Sequence, residues 1–188
     1  METIKIDITI SGLAPIMFDR FIDHSKEVRP PEQKLYLNED NVLVFPSQNI
    51  DSFMFAEAPS GCARTFEGKK GKDYTRIGLS HVFTGPVLIP FTDGKKEIKF
   101  KGFDKHLWVH DYGAPRTKQG SLSIKQEKKL RPVLNLPWEL SFEIELIKNA
   151  LIDSVKLENW FSSGGIMLAL GTWRPKFGRF EVKKWENK

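Results

Sequence analysis

Gly164-Gly165-Ile166-Met167-Leu168-Ala169-Leu170-Gly171-Thr172-Trp173-Arg174-Pro175-Lys176-Phe177-Gly178-Arg179-Phe180-Glu181-Val182 reads as an apolar helix, a glycine stop, a loop carrying two arginines and a final strand. Gly171 suits the left-handed position just past a helix, and Pro175 bars a return to helix. Gly178 lets backbone or a ligand come close. Arg174 and Arg179 bracket the loop. A guanidinium offers five donors in a fixed fork, so two of them beside glycine backbone make an anion site for phosphate or carboxylate. The competing reading has both arginines bonding the carbonyls of a structural loop. A proline pushes the residue before it toward extended backbone, so Arg174 is expected to leave the sheet edge toward solvent. Arg179 is expected inside the last strand.

Working back along the chain, residues 138–147 alternate, with Trp138, Leu140, Phe142, Ile144 and Leu146 on one face. Ser154 then opens a helix to about Leu170 that turns Val155, Trp160, Phe161, Met167 and Leu168 inward, and 177–185 closes the chain as a strand. Residues 3–10 alternate Ile4, Ile6, Ile8 and Ile10 with polar neighbours, which predicts a half-buried strand. Segments 34–37 and 42–45 flank Asn38-Glu39-Asp40-Asn41 and predict a hairpin. Pro46-Ser47 is expected to cap a short helix with Ile50, Phe53 and Met54 on its buried face. Segments 82–91, 95–100 and 107–110 read as strands, and 19–33 and 112–129 as long loops, the second tipped by a mobile basic finger over 112–121. The order predicts a single α+β domain over 1–188. It is a ferredoxin-like, RNA-recognition-like antiparallel sheet with two helices and an elaborated basic, β-rich insertion at about 64–131.

With 188 residues, 40% hydrophobic and 12% aromatic, the chain can bury a sizeable core. No apolar run approaches the roughly 18 residues of a membrane span. A single cysteine, Cys62, excludes an internal disulfide framework, and with no secretory leader pattern the expected location is cytoplasmic. The net charge of +5 is laid out unevenly. Residues 64–131 hold 16 Lys and Arg against 7 Asp and Glu, a net of +9, which leaves the remainder at −4. A regional excess of this size attracts a polyanion, because each neutralised phosphate releases counterions.

Two segments within that region, 68–76 and 94–103, interleave basic residues with aromatics, as a groove for single-stranded nucleic acid does. Lys69, Lys70, Lys72, Arg76, Lys95, Lys96, Lys99 and Lys101 are the candidates there. Arg116, Lys118, Arg131, Arg174 and Arg179 complete the candidate set. The alternative for each segment is a solvated hairpin with its aromatics in the core.

Catalytic constellations are thin. Of His24, His81, His106 and His110, only the last two are closely spaced, and on a strand they stand roughly 13 Å apart, too far to share a metal ion. Nothing in the sequence pairs a base with Cys62, and no phosphate loop, zinc-protease or nucleophile-elbow motif is present. No catalytic residue, metal or cofactor is expected. Metal-free RNA cleavage would fall to His24 or His81 beside a lysine and a tyrosine.

Three stretches carry a resemblance: Ile10-Ser11-Gly12-Leu13-Ala14-Pro15-Ile16-Met17, the segment 34–50, and 170–182 with its Gly-x-Trp-Arg-Pro-x-Phe-Gly-Arg-Phe motif. Together they resemble a group of uncharacterised bacteriophage proteins. That group is in turn distantly similar to the RNA-recognition-like (RAMP-type) backbone subunits of CRISPR effector complexes. Trp173 and Pro175 depart from the usual glycine-rich loop of those subunits. The resemblance implies a phage-encoded protein that acts on DNA or RNA in the host cytoplasm. Three functions follow as expectations. The leading one is sequence-tolerant, non-catalytic binding of single-stranded DNA or RNA, with homo-oligomers assembling along the strand. The others are a metal-independent ribonuclease and a protein that binds a host defence protein.

Overall fold

Strand β1 (Thr3–Gly12) forms because its isoleucines fall on one side of the pleat. Ile6, Ile8 and Ile10 are fully buried, whereas Lys5, Asp7, Thr9 and Ser11 point the other way. In chain order β2 (Ile16–Met17), β3 (Val44–Pro46), β4 (Val82–Gly85), β5 (Leu88–Thr92) and β6 (Leu107–His110) follow. Then come β7 (Gly113–Lys118), β8 (Ser121–Lys128), β9 (Arg131–Leu134), β10 (Glu139–Ile147) and β11 (Phe180–Asn187). The helices are α1 (Ser47–Phe55), α2 (Cys62–Phe66), α3 (Gly71–His81) and α4 (Ser154–Met167). This computed structural model describes residues 2–20, 29–57, 60–111, 113–118, 121–128 and 130–188, with β7 and β8 given by their backbone alone.

Four strands lie side by side in the order β11-β1-β10-β4, every neighbouring pair antiparallel. Helices α1–α3 connect β1 to β4, and α4 connects β10 to β11. This is the ferredoxin-like arrangement. Beyond the break at Gly85-Pro86-Val87, β5 continues along the same side of β10 and carries β3 outside it. A small sheet, β2-β9-β6, sits apart, and β7 pairs with β8 as a hairpin.

The helices cover the isoleucine face of the sheet. Helix α4 offers Leu157, Trp160, Phe161, Gly164 and Gly165 to it, while Val155 and Met167, expected inside, are 64% and 58% exposed. The reason is close approach: a Cβ on Gly164 would lie 2.7 Å from the Phe53 ring, and one on Gly165 2.5 Å from the Phe180 carbonyl. The glycines therefore set the buried stripe, and residues off that stripe face out. Asp153 caps the helix by accepting the Lys156 N–H at 2.7 Å. Asp153→Ala is expected to cost about 1 kcal/mol, read as a fall of roughly 3 °C in Tm.

Several expectations are corrected by the structure. Of the expected Pro46-Ser47 cap, Pro46 holds the N-cap position without a side-chain capping bond, and Ser47 is the first helical residue. Residues 68–76 form no hairpin: a 3-10 turn (Gly68–Lys70) leads into α3. That helix is masked in the sequence because it buries Gly71, Thr75 and Gly78 rather than large apolar residues, with Gly78 pressed against the Phe55 ring. Residues 95–100 make a turn with isolated bridges Thr92↔Glu97 and Val42↔Lys99, organised by Asp93, whose carboxylate accepts the Lys95 and Lys96 N–H groups. Most of the expected loop 112–129 is the β7–β8 hairpin, consistent with the period-two alternation of Leu122 and Ile124 with polar neighbours. Helix α4 ends at Met167, where the Gly164 carbonyl accepts both the Leu168 and Ala169 N–H groups.

The opposite face of the sheet is uncovered on β1, β10 and β11, and it is ionic. Asp7, Glu139, Glu143, Glu145, Glu181 and Glu186 share it with Lys5, Lys183, Lys184 and Lys188. Crossing pairs such as Lys5–Glu143 at 3.0 Å and Lys188–Asp7 at 2.7 Å raise the lysine pKa in each case and lower that of Asp7. These three strands put no aromatic ring on this face.

Candidate functional site

The loop 170–178 is sewn to the segment that follows β1. The Leu170 N–H donates to the Gly178 carbonyl at 3.0 Å, that of Gly178 to Pro15 at 2.8 Å, and that of Thr172 to Met17 at 2.9 Å. Leu13 and Ala14 donate in turn to the Arg179 carbonyl at 2.7 and 3.2 Å. Trp138, fully buried, adds an indole N–H to the Ala14 carbonyl at 2.9 Å. Two stretches separated by most of the chain thus become one backbone unit. The small sheet holds it from the side: Trp173 and Phe177 pack on the buried His110 ring at 5.1 and 6.0 Å, and desolvation lowers the His110 pKa.

Beside this unit opens a cleft of about 250 Å³. Phe18 and Phe45 line its depth, Tyr36 one side, and Asn49, Thr172 and Arg174 its polar lining. A second hollow, of about 550 Å³ and lined by Met167, Leu168, Trp173 and Pro175, shares Gly171, Thr172 and Arg174 with the first. Arg174 stands where the two meet. Its Nη1 donates to the Ala169 carbonyl at 3.3 Å, and among the described residues no carboxylate lies within ion-pair distance. Burial holds this guanidinium below its ordinary pKa. A half-buried cation without a counterion is costly, and an anion supplied from outside offsets that cost. The cleft's own acid, Asp19, is already engaged by Arg131 at 2.9 Å and Lys34 at 3.7 Å.

Arg174 therefore turns inward, against the expectation that it leaves the sheet edge. Arg179 is exposed and precedes β11 rather than lying within it, and it does not line the cleft. Arg131 is buried against Asp19, which corrects its reading as a surface cation. Lys69, Lys70, Lys72 and Arg76 are exposed at and just before the start of α3, Arg76 facing Asp73 at 3.6 Å. Lys95, Lys96, Lys99 and Lys101 are exposed on the 93–101 turn, and Lys96, Lys99 and Lys101 line one hollow with Glu97. The interleaved aromatics do not join them. Phe100 and Phe103 pack on each other at 5.3 Å against the core, and Tyr74 packs on Trp160 at 5.9 Å. The aromatics of each segment are half-buried against the core, while the basic residues stand exposed beside the acidic Asp73, Asp93 and Glu97. Arg116 and Lys118 belong to β7, whose side chains, like His24, lie outside the described residues.

The other candidate chemistries are dispersed. His81 shares its Nδ1 with the Ser80 hydroxyl at 2.8 Å and the Ile77 carbonyl at 3.1 Å, and His106 meets the Pro137 carbonyl at 3.3 Å. Cys62 is buried with its Sγ on the Trp160 carbonyl, and burial pushes its thiol pKa up. Among the described residues no three His, Cys, Asp or Glu side chains gather closely enough to hold a metal ion, and no helix is long and apolar enough to cross a membrane.

No protein family profile matches the sequence, and no curated protein is similar to it. The class defined by the fold is the α+β, ferredoxin-like one, with a cleft beside the loop that precedes the last strand. Among solved structures the chain is similar to one in the cryo-EM structure of the Type III-B Cmr-beta bound to cognate target RNA. The TM-score is 0.58 at 12% identity, and the match covers 98% of this chain and 60% of that one. The chain thus spans 60% of the length of its structural neighbour. At this identity the two share a fold.

Proposed function

We propose that this protein binds single-stranded nucleic acid without cleaving it. The observation that carries the reading is Arg174, a desolvated guanidinium with no carboxylate partner among the described residues, set where two hollows meet beside Gly171. A phosphate of a passing strand supplies the missing charge, and charge-assisted bonds to a guanidinium are about twice as strong as neutral ones. The exposed lysines of the 93–101 turn and of α3 add sequence-independent attraction. That the structural neighbour comes from an assembly bound to RNA supports the same reading. In this proposal copies assemble along the strand, and the protein acts in the cytoplasm of a phage-infected host.

Binding should be measured with single-stranded RNA, single-stranded DNA and duplex at two salt concentrations. Affinity for single strands is expected to fall roughly 10- to 100-fold between about 50 and 200 mM salt, as for a ligand that neutralises several phosphates. Indifference to salt, or no binding to any of the three, overturns the proposal. Both nucleic acids should stay intact with chelator or with divalent ions. Cleavage products that vanish in His81→Ala would favour the ribonuclease reading instead. A second reading, docking to a host protein, has its own observation: Leu79, Phe83, Val87 and Leu88 are exposed apolar residues at and around strand β4.

A further inference from the structure

The cleft has more in it than a phosphate needs. Phe18 and Phe45, 2% and 1% exposed, give it an apolar depth, and Tyr36 presents a ring at its side with the Arg20 guanidinium 5.6 Å from the ring centre. Asn49, near the start of α1, lines the same space, and its amide makes no hydrogen bond to the described residues. A phosphate gains nothing from the faces of aromatic rings, and it uses only the donor half of a carboxamide. A nucleobase gains from both, since its faces stack on rings and its edge pairs with an amide that both donates and accepts. The volume of about 250 Å³ lies below the range of drug-sized pockets and admits one base rather than a run of them.

We infer that this cleft takes up one unstacked nucleobase of the bound strand, stacked beside Tyr36 and read on its edge by Asn49, while the adjoining phosphate rests on Arg174. The inference rests on the nucleic-acid reading above and sharpens it: the strand is held without regard to sequence except at one base in each footprint. Asp19 lines the cleft but is engaged by Arg131 and Lys34; of the uncommitted groups there, the Asn49 amide and the Ser52 and Thr172 hydroxyls, the amide alone sets a donor and an acceptor side by side. Arg20 is exposed and follows Asp19 directly, so its flat guanidinium is placed to close over an entering base.

The test uses fluorescence anisotropy on the full chain with labelled single-stranded oligonucleotides of one length: adenine, cytosine and uracil homopolymers, and a strand with its bases removed. At fixed salt the wild type is expected to bind its preferred homopolymer about tenfold more tightly than the abasic strand, a single stacking contact being worth that much. Asn49→Ala should equalise the homopolymers at a nearly unchanged Tm, since the substitution removes no hydrogen bond to the described residues. Tyr36→Leu should erase the advantage over the abasic strand, while Tyr36→Phe should keep it. Equal wild-type affinity for base-bearing and abasic strands, both still salt-sensitive, overturns the base pocket and leaves the nucleic-acid reading standing. So does a homopolymer preference that survives in Asn49→Ala. Failure to bind any oligonucleotide overturns both.

Discussion

Gly178→Ala is expected to lower Tm by roughly 10 °C and to abolish nucleic-acid binding with it. Gly178 holds φ at +78°, where an L side chain costs about 1–2 kcal/mol, and its Cβ would run into the Leu170 carbonyl of the main chain. That carbonyl cannot swing aside as a side-chain tip would. Leu170 and Gly178 are joined by the hydrogen bond that closes the loop, so relief of the clash opens the loop itself. Overpacking of this kind adds roughly 1–3 kcal/mol, and each kcal/mol moves Tm by about 2–4 °C in a chain of this size. Gly68→Ala is the control. Its φ is +54°, but nothing lies within 4 Å of the added atom. A drop of only a few degrees there, measured by calorimetry, separates conformational cost from close approach. Equal drops for the two variants would show that the Leu170 contact gives way easily.

Arg174→Ala should raise Kd for single strands roughly 10- to 100-fold while leaving Tm unchanged or slightly higher. The binding loss is that of a charge-assisted contact of about 1.5–3 kcal/mol. The stability result follows because the variant relieves a desolvated cation and removes a single long bond to the Ala169 carbonyl. Arg131→Ala should behave in the opposite way. Its guanidinium is buried on Asp19, so truncation leaves that carboxylate with only the longer Lys34 contact and should lower Tm by roughly 5 °C. Paired melting and binding curves test both. An Arg174→Ala variant that melts several degrees lower yet binds normally once folded would mark the loop as purely structural.

The difference between these two arginines shows what sequence could and could not reveal. Both are basic residues in suggestive surroundings, and only the fold shows that one has a carboxylate against it and the other does not. Strands β1 and β10 were legible because each buries one face and wets the other, which writes a period of two into the residues. Trp160 and Phe161 marked α4 for a similar reason, although the glycines that orient it carry no hydrophobic pattern. Helix α3 is hidden by its small buried residues, which leave no helical period of apolar side chains around the basic residues 69–76. The cleft was half legible. Its loop stood out, but Tyr36 and Asn49 lie more than a hundred residues from Arg174 and reach it only because the backbone of 170–178 is stitched to 13–17.

The ionic face of the sheet bears on which way round the molecule can sit. Six carboxylates among four ammonium groups, already crossed into pairs, leave a phosphate backbone no unclaimed cation and an excess of like charge on that side. In the proposed binding mode a strand that collides there would be turned away, and productive encounters would come from elsewhere on the molecule. Successive copies on one strand would then all carry this patterned surface outward. What surrounds such a filament would meet a repeating array of paired charges rather than the nucleic acid, and raised salt would weaken the grip on the strand while also screening the array.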